Sequence, residues 1–321
     1  MTLIQKMLTG VALACLPAGA ALADYPDRPV TILVPWGAGG GTDTIIRIFA
    51  TGFEEAMGQP INVVNRDGGS GVVGHMAIAQ ARPDGYTLGA CTPEITYFKS
   101  IGLADLTPEK FTLISRLALI PAGITVAQDS PYADLPALVE AVKSEPAGHF
   151  QSSGSGIGGT WHMATAGFLK ALGEPVDKID FIPSKGGAPA LQDMVSGGLN
   201  MFTGSPVEAK ALADAGEVRI LGIMSDERSD AFPDVPTLKE SGVEFALSNW
   251  FSLCAPAGLP EEVTAKLAEA AREAHGAAVV QDALAQRGIT PYFDGPEEFS
   301  TFAAGFADEA GTLLGELGLV N

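Results

Sequence analysis

An α/β fold of two lobes, each a mostly parallel sheet flanked by helices, is predicted by three observations. Strand-like and helix-like segments alternate along most of the chain, 321 residues is about the length of two domains, and a glycine-rich turn leads into a helical pattern in each half. Pro29 to Val34 is a short β-branched apolar run; after the first glycine turn, Ile45, Ile46, Phe49 and Phe53 recur at helical spacing. Ile61 to Val64 reads as a strand, Val72 to Gln80 as a helix, and Tyr86 to Cys91 as a strand following the turn Pro83-Asp84-Gly85. Further strands are expected at Gly123 to Val126, Ile179 to Ile182, Leu199 to Phe202 and Val218 to Met224, with a helix at Leu135 to Lys143. The last 60 residues read as mostly helical, with starts at Pro260-Glu261 and Pro296-Glu297, where proline is tolerated in the first turn.

Composition narrows the classes of function. With 46% hydrophobic and 18% charged residues the chain is of globular type, and at this length it hides about three quarters of its extended surface on folding, so it needs no disulfide or metal for stability. Acidic residues number 38 against 19 basic, a net charge of −19. Nucleic acid and anionic membranes are held by clustered Lys and Arg, and no such cluster appears. His75, His149, His162 and His275 are scattered with no metal-ligand spacing, so neither a metal nor a cofactor is expected.

Residues 1–23 have the layout of a secretory signal peptide: Lys6, an apolar stretch from Met7 to Leu16, and small residues ending in Ala21-Leu22-Ala23, with cleavage expected after Ala23. The apolar run is short of the roughly 20 residues that span a bilayer. Cys15 follows Ala12-Leu13-Ala14, a poor match to the approach of a lipid-anchored cysteine. Cleavage removes one basic residue and no acid, moving the net charge from −19 to −20. A free periplasmic protein is the expected product. Cys91 and Cys254 remain, each in an apolar run. An oxidising compartment permits a disulfide between them, but separate buried thiols are the favoured expectation.

Two loops carry the chemistry. Pro35-Trp36-Gly37-Ala38-Gly39-Gly40-Gly41-Thr42-Asp43 lies between a strand and a helix, and Ser152-Ser153-Gly154-Ser155-Gly156-Ile157-Gly158-Gly159-Thr160-Trp161-His162 also runs into a helical segment. Glycine lets the backbone approach a ligand closely, and the first turn of a helix leaves unpaired N–H groups with partial positive charge, so an anion is held without a basic side chain. The first loop lacks the lysine of a phosphate-binding P-loop. The second contains Gly-x-Gly-x-x-Gly at Gly154, Gly156 and Gly159, a weak dinucleotide signal in an exported chain. Neither supplies the Gly-x-Ser-x-Gly elbow of a serine hydrolase. Glycines used only for tight turns are the bland reading of either loop; one such loop in each lobe makes a shared cleft the better account.

The series Tyr25-Pro26, Val34-Pro35-Trp36-Gly37-Ala38-Gly39-Gly40-Gly41-Thr42-Asp43, Asn65-Arg66, Pro83-Asp84-Gly85-Tyr86-Thr87-Leu88, Gly159-Thr160-Trp161-His162 and Phe232-Pro233-Asp234-Val235-Pro236-Thr237 resembles the Bug-type solute receptors of tripartite tricarboxylate transporters, over essentially the whole mature chain. The resemblance implies a two-lobed periplasmic-binding-protein (type II) fold with the ligand cleft between lobes. One domain is 24–125 plus 248–321, the other 126–247. It also implies a non-enzymatic, monomeric receptor that closes on a small organic acid and delivers it to two membrane subunits.

Carried over by position, the resemblance places a ligand carboxylate near Gly39, Gly40, Gly41 and Thr42, and a second group near Ser155, Gly158, Gly159 and Thr160. Asp43 matches the family loop but would repel an anion, so it is read as bonding loop backbone. Trp36 and Trp161 are candidates to line the cleft, with packing on the lobes as the alternative; core packing is favoured for Trp250. Ser205 completes the set, in a Gly204-Ser205 pair that departs from the family pattern, as does Ser184. Lys185 is either a counter-charge or a solvated lysine. Glu94 is unusual at its strand end, and if it faces the cleft it favours a ligand with an amino or hydroxyl donor. A sensory receptor shares all these features, while an enzyme on the same scaffold would need a nucleophile or paired acid and base.

Overall fold

The computed structural model describes residues 25–320; the expected signal peptide and its cleavage site lie outside them. In chain order the elements are β1 (Val30–Val34), α1 (Gly41–Met57), β2 (Ile61–Asn65), α2 (Val72–Ala79), β3 (Thr87–Cys91), β4 (Phe111–Pro121), β5 (Gly123–Ala127), α3 (Leu135–Ser144), β6 (Gln151–Ser153), α4 (Thr160–Ala171), β7 (Asp180–Phe181), α5 (Gly187–Val195), β8 (Met201–Gly204), α6 (Pro206–Asp214), β9 (Val218–Ile223), β10 (Ser248–Pro256), α7 (Glu261–Gly276), α8 (Ala278–Ala285), β11 (Thr290–Asp294) and α9 (Pro296–Glu316). None of the described helices is long and apolar enough to cross a membrane.

Two sheets result, one of six strands ordered β11-β4-β10-β3-β1-β2 and one of five ordered β7-β6-β8-β5-β9. The expected parallel pairing holds for β2-β1-β3 and β7-β6-β8, where helical crossovers bring each strand back in the same direction. The remaining pairs are antiparallel: β10 with β3 and β4, β11 with β4, and β5 with β8 and β9. These pairs arise because the chain changes sheet by direct passage. It leaves the first sheet along β4 and enters the second as β5 after Ala122 alone, so a boundary between 125 and 126 would cut β5, whose residues pair in the second sheet. It returns along β10, and Ala122, Met224 and Leu247 are tied by main-chain bonds: Ala122 N–H to Leu247 O at 2.8 Å, Met224 N–H to Ala122 O at 2.7 Å and Leu247 N–H to Met224 O at 3.0 Å.

β4 and β10 escape a reading by alternation because they are buried on both faces, with no exposed face to carry a regular polar half of the period. Arg116 inside β4 is tolerated because Asp294 of β11 accepts from its Nε at 2.8 Å and from its backbone N–H at 3.2 Å, while Phe302 lies 3.5 Å beneath the guanidinium. In the first lobe the apolar stripe of α1, Ile46, Phe49 and Phe53, packs against Val263, Leu267 and Ala271 of α7; each such buried phenylalanine contributes roughly 1.5–3 kcal/mol. Trp250 is fully buried and ringed edge-on by Phe299, Phe302 and Phe306 of α9, in keeping with the core role favoured for it. The last turns of α9 reach the other lobe, where Ala310 and Leu314 cluster with Met163 of α4.

The expectation of two separate thiols is corrected: Cys91 and Cys254 form a disulfide with Cα atoms 5.8 Å apart. They lie 163 residues apart in sequence. The antiparallel pairing of β3 with β10, in which Ser252 faces Cys91 and Cys254 faces Gly89, brings them together.

Candidate functional site

The first glycine loop joins β1 to α1. Gly39 has φ of 82°, which only glycine adopts without strain, and Gly40 caps α1 with no side-chain partner, so the first amides of the helix stay unclaimed from within. Asp43 holds this loop from inside. Its carboxylate accepts from Gly39 N–H at 2.9 Å, Arg47 Nε at 2.9 Å and Asn65 Nδ2 at 2.9 Å, and Asn65 Nδ2 also donates to Trp36 O at 3.0 Å. Burial works against the Asp43 anion, yet Arg47, the Gly39 amide and Asn65 together hold its carboxyl below the ordinary range.

The second loop joins β6 to α4. Gly158 has φ of 73°, and Gly159 caps α4, again without a side-chain partner. At Gly154 a Cβ would come within 2.5 Å of the Trp161 Cβ, so glycine lets the loop fold over that indole. Gly158 N–H donates to His162 Nδ1 at 3.0 Å, and the His162 ring stacks on Phe181 at 4.5 Å; burial pushes its pKa down to about 4. A third glycine pair, Gly186-Gly187, starts α5 in the same uncapped manner.

These helix ends meet at one small cavity. Trp36, Gly37, Gly40, Gly41 and Thr42 line it from the first loop, and Ser155, Thr160 and Trp161 from the second. Gly186, Gly187, Ser205 and Glu208 close it from the second lobe, Asn249 and Phe251 of β10 floor it, and Glu94 completes it. The space open to the centres of water molecules is about 40 Å³, room for a small molecule only. The two lobes touch around it: Glu208 accepts from Gly41 N–H at 2.8 Å, and a Cβ at Gly156 would lie 2.4 Å from Ser70 Oγ.

Of the residues singled out by sequence, Trp36, Gly40, Gly41, Thr42, Ser155, Thr160, Trp161 and Ser205 therefore line one cavity. Gly39, Asp43, Gly158 and Gly159 are not in the lining: Asp43 ties Gly39, Gly158 holds His162, and Gly159 caps α4 against Ser155 and Glu94. Ser205 spends its hydroxyl capping α6, accepting from Glu208 N–H at 3.4 Å. Lys185 is exposed and absent from the lining. Glu94, conditional in sequence, does line the cavity; it is 4% exposed and its Oε2 has no protein partner, as is true of Ser155 Oγ. Glu208 was invisible to sequence reasoning because Ser205-Pro206-Val207-Glu208 reads as an ordinary capping box, in which glutamate turns back to its own helix. Here its carboxylate crosses the cleft to Gly41 instead. Burial pushes its pKa up to about 7, with the Gly41 amide acting the other way, and burial raises Glu94 likewise.

Trp36 is steadied by a buried chain of bonds. Its Nε1 donates to Thr92 Oγ1 at 3.2 Å, Thr92 N–H reaches His75 Nε2 at 3.3 Å, and His75 Nδ1 pairs with Gly71 O at 2.8 Å. His75 is thus a neutral imidazole, its pKa pushed down by burial to about 4 from 6.5. The unfolded chain binds a proton here before the folded one does, so this contribution to stability is complete above pH 6.5 and is lost as pH falls towards 4, by about 3 kcal/mol. Urea titrations from pH 7 to 4 should show that loss in the wild type and a flatter profile in His75→Gln. Glu208 titrates in both proteins and cancels; equal slopes would contradict the assignment.

The cavity therefore presents helix ends from both lobes, the unpartnered Ser155 hydroxyl and aromatic walls, which suits a small acid. No cluster of His, Cys, Asp and Glu able to hold a metal occurs among the described residues. Residues 45–319 match the model of the tripartite tricarboxylate transporter family receptor. The chain is 30% identical to Protein BugT of Bordetella pertussis over 92% of this chain and 90% of that one. It is similar to the structure of MatC from Rhodopseudomonas palustris with bound malate (27% identity, 90% and 100% of the two chains, TM-score 0.81). It is similar also to an R. palustris protein with adipate (26% identity, 92% and 99%, TM-score 0.86). The family match runs through the second glycine loop and strands of both sheets, and the chain belongs to the tripartite tricarboxylate transporter receptor family.

Proposed function

We propose that the mature protein is a monomeric periplasmic receptor that captures a small carboxylate-bearing molecule by closure of two lobes and delivers it to two integral membrane subunits. The lobes in this reading follow the expected 24–125 with 248–321 and 126–247, except that residues 123–125 go with the rest of β5 to the second lobe. The observation that carries it is the convergence of the α1 and α4 N-termini on one cavity built from both lobes. Amides at the two ends reach one bound acid only when the lobes meet, so binding favours the closed form. Relatives with malate and adipate bound support the ligand class. The layout of residues 1–23 supports export.

A non-catalytic role is supported by the family, which is one of transporter receptors. The test is thermal denaturation of the mature chain with a panel of mono-, di- and tricarboxylates, aromatic acids and amino acids. One or more should raise the midpoint in a concentration-dependent way. No shift with any acid would overturn the reading.

A further inference from the structure

The cavity holds two carboxyl groups and no basic side chain. Each meets helix ends that would otherwise be free for a ligand. The Glu208 carboxylate lies between α1 and α5: Oε1 takes the Gly41 amide, and Oε2 lies so close to Gly187 that a Cβ there would be 2.0 Å away. Glu94 lies at the start of α4, with Oε1 3.4 Å from where a Cβ on Gly159 would stand, and its Oε2 is buried with no partner. A helix end carries roughly half a positive charge, so Glu94 and Glu208, when ionised, about neutralise the four ends at this cavity, those of α1, α4, α5 and α6. One ligand carboxylate can still share first-turn amides and the free Ser155 hydroxyl, but a second would face acidic groups without a counter-charge. A cationic group would instead fill the partnerless side of Glu94 and pair with Glu208.

We propose that Glu94 and Glu208 select a ligand bearing one carboxylate and one ammonium group, a small zwitterion of amino-acid type, and disfavour dicarboxylates. The proposal rests on the receptor reading above and narrows its ligand class. Burial raises both carboxyls above their ordinary range, and an ammonium beside them would favour their ionised form.

Calorimetric titration of the mature full-length chain at pH 7.5 (a chosen condition, about half a unit above the Glu208 value) tests this with matched probes. These are adipate against 6-aminohexanoate, succinate against 4-aminobutanoate, and malate against the α-amino acids. At least one zwitterion should bind tenfold or more tightly than its dicarboxylate counterpart. Glu208→Gln and Glu94→Gln, near-isosteric and checked for fold by circular dichroism and unliganded melting, should each move that ratio at least tenfold towards the dicarboxylate. A wild type that prefers dicarboxylates, as protonated Glu94 and Glu208 donating to a ligand anion would produce, overturns the selectivity and leaves the receptor intact. Ratios unmoved in both variants overturn it too. A wild type that binds no acid of either kind removes the receptor reading itself.

Discussion

Gly156→Val is expected to abolish ligand capture while leaving the protein folded. The block is steric. A Cβ at Gly156 would lie 2.4 Å from Ser70 Oγ, 2.5 Å from Ser70 Cβ and 3.2 Å from Ser70 Cα, distances that require the other lobe to withdraw. Ser70 cannot easily give way, because it sits at φ of 55° between Gly69 and Gly71, and Gly71 in turn is pressed against Trp36, where a Cβ would be 3.0 Å from the indole. The contact crosses the cleft and belongs to neither core, so the lobes should fold normally and stop short of closure. Apparent affinity should fall by at least 100-fold, about 2.7 kcal/mol, since the amides of the two helix ends no longer reach one ligand together. Ser70→Gly in the same background removes the obstructing side chain and should recover part of the affinity. Calorimetry on the three proteins checks this, and wild-type binding by Gly156→Val would show that the two loops do not meet in the bound state.

The second large effect concerns the buried bridge between β3 and β10. Closing a loop of 163 residues restricts the unfolded chain by about 5 kcal/mol in the chain-entropy model, and native disulfides commonly deliver 2–5 kcal/mol on removal. Replacing both Cys91 and Cys254 by alanine should therefore lower the unfolding free energy in urea by several kcal/mol. Because Cys254 is in the strand that floors the cavity through Asn249 and Phe251, ligand affinity in the surviving folded fraction should change little unless β10 shifts. An unchanged urea midpoint in the double variant would contradict the bridge.

How much of this was legible beforehand depends on how local each signal is. β1, α1 and the first loop could be read directly, since a β-branched run, a glycine turn and a 3.6-residue apolar stripe follow one another within 24 residues from Val30 to Phe53. α7 announced itself by Pro260 at its cap and glutamates in its first turn, and α9 by proline and glutamates in the first turn. β4 and β10 did not, because burial on both faces erases the period of two that marks a half-exposed strand. The disulfide was hidden for a related reason: pairing of β3 with β10 is non-local, and nothing near either cysteine encodes it. In the site, glycine loops mark themselves by composition, but Glu208 carries the local signature of a helix start and acquires its place in the cavity only through the meeting of two lobes. Asp43 shows the converse. A polar residue inside a ligand loop looked like a contact, and the sign of its charge was the clue that it serves the loop instead.

The most direct test of convergent amides is a crystal structure of the mature protein with an acid that shifts its melting temperature. The account predicts one carboxylate of that acid within hydrogen-bond distance of first-turn amides from both α1 and α4, between Trp36 and Trp161. An acid bound to one lobe alone, or outside the cavity lined by Gly41 and Thr160, would contradict it.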